Sequence, residues 1–148
     1  MEKELFRKTE DVLRRYKTLV AEVENIKLSI ESMEREYKGC SSITYEEKAA
    51  PTNKFSSIVE NEVIIRETQI RKLQEELSYK QIEIKKVENA LEPLSEREFK
   101  IINLRYFKKT KSWNAIGEML GLTGDYCRYL NSDIIERISR IIFIEKYI

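Results

Sequence analysis

The amino-acid sequence predicts an all-α protein, with a long antiparallel helical hairpin, coiled-coil-like, followed by a small helix-turn-helix domain. Three observations carry that expectation. The 148 residues include only 4 Gly and 2 Pro. Charged residues make up 36% of the chain, the composition of long solvent-exposed helices. Apolar residues also recur three and four apart over residues 5–37 and again over 56–91, a helical period in both stretches.

The first element is read from Leu5, Val12, Tyr16, Leu19, Val23, Ile26, Ile30, Met33 and Tyr37, with Thr9 as the break in the series. A 3.5-residue period is the seam of a helix that supercoils with a neighbour. At ~1.5 Å per residue such a helix is on the order of 50 Å long. The second element repeats the pattern with Val59, Val63, Ile70, Leu73, Leu77, Ile84, Val87 and Leu91, interrupted by Arg66 and Lys80, which read as positions near water. Between the two lies GCSSITYEEKAAPTNKFS, whose Gly39, Ser pair, Pro51 and Asn53 favour turns. A loop is expected over about 38–55. An antiparallel hairpin within residues 1–93 is the simplest arrangement, and the same seams equally fit a homodimer.

Pro93 ends the second helix, and Ser95 with Glu98 three residues on is a capping-box pattern that opens a new unit over 94–148. Its first helix is expected over Glu96–Phe107, with Phe99, Ile102 and Tyr106 on one face and Ile101 and Leu104 beside it. Ser112 is placed to cap SWNAIGEML, Gly121 to stop it, and Thr123 to cap the helix beginning GDYCRYLNSDII. Two helices meeting at a steep angle need a small residue in the first, a residue tolerant of positive φ at the turn, and apolar residues where the second faces back. Gly117, Gly121, Cys127 and Leu130 meet those needs in order. The final IIERISRIIFIEKYI is apolar on more than one face and is expected to pack on the long helices or on a second subunit.

Charge narrows the functional classes. The net charge is +1, so bulk electrostatic coating of nucleic acid is excluded. Residues 94–148 nevertheless hold 10 Lys and Arg against 7 Asp and Glu, a local balance of +3. In a helix-turn-helix the second helix lies in the major groove. The outward positions here are Thr123, Asp125, Tyr126, Arg128, Tyr129 and Ser132. Arg128 is the leading base reader, because a guanidinium pairs bidentately with guanine, and Asp125 suits cytosine. Lys108, Lys109, Lys111, Ser112 and Trp113 are placed to hold phosphates through charge and free backbone amides.

The stretches LEPLSEREFKIINLRYF and SWNAIGEMLGLTGDYCRYLNSDIIERI together resemble the fourth, −35-element-binding region of bacterial sigma factors, over roughly Leu91–Ile138. With the long helices in front, the chain resembles the late-gene transcriptional regulators of Gram-positive phages, of the ArpU and RinA type. The resemblance implies a transcriptional regulator of phage or prophage late genes whose partners are promoter double-stranded DNA and host RNA polymerase. Departures are Gly117 where Ala is usual, Cys127 where Val or Ile is usual, and no counterpart of the region that melts the −10 element.

Other classes are less well served. There is no His, no Gly-rich phosphate loop, no metal-ligand spacing and no nucleophile with a visible base, so neither an enzyme nor a cofactor or metal site is expected. Cys40 and Cys127 read as free thiols, Cys127 as a small packing residue. No run approaches the ~18 apolar residues of a membrane span. MEKELFRKTE lacks the apolar core of a signal peptide, so a cytoplasmic location in a bacterial host and no membrane partner are expected. Two further readings stay open: a small terminase-like DNA-packaging subunit, and a coiled-coil adaptor for a protein partner.

Overall fold

The computed structural model describes the backbone of residues 2–46 and 53–148 and the side chains of residues 2–36 and 58–148. The described residues are helical throughout their regular structure, and no strand occurs among them. Five α-helices follow in order: α1 (Lys3–Glu46), α2 (Asn53–Leu91), α3 (Glu96–Ile102), α4 (Trp113–Leu120) and α5 (Gly124–Ile142). A π-helical turn, Asn103–Phe107, prolongs α3, and a short 3-10 turn, Ile144–Lys146, follows α5.

Helix occupies residues 38–46 and 53–55 of the span expected as a loop. α1 continues to Glu46 and α2 begins at Asn53. Gly39 is no barrier to this, because a glycine inside a helix costs only about 1 kcal/mol against alanine. Residues 47–52, with Pro51, lie outside the described residues, as do the side chains of Tyr37 and Cys40.

Two compact units form: Met1–Val20 with Ile82–Ile148, and Ala21–Gln81. The unit holding the C-terminal helices is therefore larger than the expected 94–148. Leu13 of α1 and Val87 and Ala90 of α2 share one core with Ile101, Ile102, Tyr106, Ile134, Ile135, Ile138 and Ile142. Ile134, Ile135, Ile138 and Ile142 of the apolar C-terminal stretch thus pack with the long helices, whereas Ile141 and Ile144 of the same stretch are exposed. Leu13 lies outside the seam as read from the sequence, yet it is fully buried because α3 and α5 cover a second face of α1.

Thr9 does not break the seam. It is fully buried, and its hydroxyl donates to the Leu5 carbonyl at 2.8 Å, so the polar atom is satisfied inside its own helix. Tyr16 donates its hydroxyl to Glu88 at 3.3 Å, a side-chain link from α1 to α2 in this unit.

In the unit Ala21–Gln81 the two helices run antiparallel, with Lys80 2.5 Å from Glu22 and Arg66 4.0 Å from Glu36. Arg66 and Lys80 are half-buried, and the carboxylates their charged ends meet are exposed, so both lie beside water at the edge of the seam. Val23 is the one described residue of this unit that is buried outright. A pair of helices can cover only one stripe of each.

α3 starts as expected: Ser95 accepts from the Glu98 N–H, and the Glu98 carboxylate accepts from the Ser95 N–H at 3.0 Å. Phe99 departs from expectation. It is exposed, while Ile101, Ile102 and Tyr106 are buried. The wider π turn, closed by the Lys108 N–H donating to Asn103 at 2.8 Å, shifts the buried face after Ile102. Phe99 is left against Phe107 at the margin, ring centroids 6.5 Å apart.

Candidate nucleic-acid interface

α4 and α5 are joined by the turn Gly121–Thr123. Ser112 accepts from the Ala115 N–H at 3.3 Å and opens α4. Gly121 closes it with φ 69°, a left-handed conformation that glycine adopts without a steric penalty. Thr123 accepts from the Tyr126 N–H at 3.2 Å and opens α5.

Close backbone approach sets the packing of the pair. A Cβ at Gly117 would lie 2.5 Å from the Leu122 carbonyl oxygen, so the turn folds directly over this position. A Cβ at Gly124 would lie 2.3 Å from Asn114 Oδ1 and 2.9 Å from its backbone nitrogen, so the start of α5 abuts the start of α4. Gly117 is legible from its spacing. Gly124 was missed, and its signal is a poor helix former placed directly after an N-cap.

Inward, α5 presents Cys127, Asn131, Ile134, Ile135 and Ile138, all buried. Cys127 is fully buried, and burial pushes its thiol above the ordinary range against the smaller opposing effect of Arg97. It is a packing residue in the thiol form. Asn131 donates to the Tyr106 hydroxyl at 2.9 Å, and that hydroxyl donates to Glu10 at 2.9 Å. A polar chain thus ties α5 through the π turn to α1. Arg137 adds an ion pair to Glu98 of α3 and lies 3.2 Å from Asp133 on its own helix.

Outward, Thr123, Asp125, Tyr126, Arg128, Tyr129 and Ser132 are all exposed. Asp125, Arg128, Tyr129 and Ser132 follow i, i+3, i+4, i+7 spacing and form one stripe. Among the described residues Arg128 makes no ion pair, so its guanidinium is available to a ligand. Tyr126 and Tyr129 stack with centroids 6.5 Å apart and planes 14° apart, and Arg97 lies 6.0 Å from the Tyr126 centroid. Arg97 brings a cation to this face that sequence spacing does not reveal, since it comes from α3. Ser132 turns its hydroxyl onto the Arg128 carbonyl at 3.3 Å, which ties it to its own helix.

The expected phosphate contacts divide. Lys108, Lys109, Lys111 and Ser112 are exposed. Trp113 is half-buried against the core with the Arg105 guanidinium 4.2 Å from its ring centroid, so only its backbone amide suits an anion. Arg105, missed in sequence, also donates to the carbonyls of Thr110 and Lys111. Among the described residues no three Cys, Asp or Glu side chains converge on a metal position, and no helix is long and apolar enough to cross a membrane.

Compared with known proteins, the chain has no match among family models, curated proteins or solved structures.

Proposed function

We propose that this chain is a sequence-specific DNA-binding transcriptional regulator, of phage or prophage late genes, that acts on promoter DNA together with host RNA polymerase. One observation carries the DNA-binding part: the first half of α5 holds an exposed stripe, Asp125, Arg128, Tyr129 and Ser132, on a helix anchored from behind by buried Cys127, Asn131 and Ile134. A reading helix needs both features, because base contacts discriminate only when the side chains that make them are held in register. The polymerase part rests on the sigma-like resemblance of residues 91–138, and the phage part on the resemblance of the whole chain, long helices included, to late-gene regulators of Gram-positive phages.

Selection of duplexes from a randomised pool, followed by retardation assays, tests the reading. A defined site should emerge. Arg128→Ala should lose about 1–3 kcal/mol of discrimination at one base pair while retaining binding to unrelated duplexes. Recovery of no preferred sequence by the intact protein would sink sequence-specific recognition.

A further inference from the structure

Arg14, Arg105, Lys109, Thr110 and Lys111 line a cleft of about 270 Å³. Four of these five side chains are cationic, and no carboxylate lines the cleft. The nearest acids to Arg14 belong to its own helix, Glu10 at 3.7 Å and Asp11 at 3.4 Å, and Glu10 already accepts from Tyr106. Positive charge is therefore in excess here, in a chain whose total is +1. Like charges gathered in a concavity raise the local concentration of an opposite ion.

The arrangement is more than a loose basic patch. Arg105 is held in place by the Thr110 and Lys111 carbonyls and by the Trp113 ring at 4.2 Å, so little side-chain freedom remains to be lost on binding. Lys109 has φ 57°, the one left-handed non-glycine residue among those described. That conformation costs an L-residue about 1–2 kcal/mol, which glycine avoids. The turn is of the helix-ending kind, with the Thr110 N–H donating to the Leu104 carbonyl at 2.9 Å, and it sets Lys109 among the residues that line the cleft.

The geometry points to a phosphate pocket formed by Arg14, Arg105, Lys109 and Lys111, whose occupant is a backbone phosphate of the duplex that α5 reads. This rests on the DNA-binding reading above. Guanidinium groups suit the occupant because their paired N–H donors match two phosphate oxygens at once. The location suits it too. Lys111 lies two residues before Trp113, and the start of α4 abuts Gly124 at the start of α5. Arg14 and Arg105 lie outside the helix-turn-helix, so the opening turns of α1 join the DNA contact. A helix-turn-helix with modest local charge thereby gains phosphate contacts.

Trp113 is the single tryptophan of the chain and lies against Arg105, so its fluorescence reports on the cleft. Inorganic phosphate added to the full chain at constant ionic strength should give a saturable change. Arg14→Gln and Lys109→Gly should abolish it, and Lys85→Gln, exposed on α2 and outside the cleft, should not. Lys109→Gly relieves strain, so its melting temperature should hold or rise while binding falls, which separates lost contact from lost fold. Duplex DNA should displace the phosphate. Each cleft variant should reduce the steepness of log affinity against log salt by about 0.9. No saturable response overturns the pocket. Duplex binding with wild-type salt slopes in both variants also overturns it, while leaving the DNA reading intact. A phosphate response that duplex never displaces overturns the DNA occupant, and if the intact protein retards no duplex the DNA reading falls with it.

Discussion

Gly117 shows how narrow the tolerance is between α4 and α5. A methyl group there would lie 2.5 Å from a backbone oxygen that cannot swing aside. Gly117→Ala should therefore destabilise the fold by about 1–3 kcal/mol through overpacking, read as a lower melting temperature. Gly121 differs, since nothing lies within 4 Å of its hypothetical Cβ and only its φ of 69° resists substitution. Gly121→Ala should cost about 1–2 kcal/mol from backbone strain alone. Tyr106 is sensitive in another way. Burial, with the nearby Glu10 carboxylate, pushes its hydroxyl far above the ordinary value near 10. Its folded-state value is raised, so the stability it contributes is fully present below about pH 10 and is lost as pH rises beyond it. Denaturant unfolding should show stability falling above pH 10. In Tyr106→Phe that slope should flatten, although stability at neutral pH drops by about 1–3 kcal/mol because Asn131 loses its acceptor.

Among the elements, α1 is the most informative. Its seam continues through Thr9, whose hydroxyl is satisfied by Leu5 and touches no other helix through a hydrogen bond. Thr9→Val keeps the shape and removes a buried hydroxyl, and the Leu5 carbonyl retains its helical N–H partner. The variant should match or exceed wild type by up to about 1 kcal/mol in thermal unfolding. A clear loss of stability would show that the hydroxyl does more than satisfy itself. α3 teaches the opposite lesson about periodicity. A 3.6-residue period put Phe99 on the buried face with Ile102, whereas the face actually buried centres on Ile101 and Ile102 and leaves Phe99 exposed at its margin.

At the scale of the whole molecule, buried residues are distributed unevenly. Nearly all of the outright buried side chains belong to the unit of Met1–Val20 and Ile82–Ile148, and among the described residues of Ala21–Gln81 only Val23 does. Local opening free energy follows the buried apolar contacts a segment must break. Amide hydrogen exchange should be slower in 101–106 and 127–138 than in 21–36 and 58–81. Equal protection across both sets would mean that the chain unfolds as one cooperative body.

What the amino-acid sequence determined by itself was local. Helical period, the caps at Ser95, Ser112 and Thr123, the left-handed Gly121, the small Gly117 and the outward stripe around Arg128 all depend on residues within one or two turns of each other. Backbone hydrogen bonding and side-chain period act over that range. Tertiary structure alone decided which distant residues share an environment. It buried Leu13 under α3 and α5, linked Glu10, Tyr106 and Asn131, placed Arg97 beside Tyr126, and gathered Arg14 with Arg105, Lys109 and Lys111 around one cleft. Arg14 and Arg105 are separated by most of the chain, and nothing in either neighbourhood encodes the other. Their meeting follows from the packing of one core to which α1, α2, α3 and α5 all contribute.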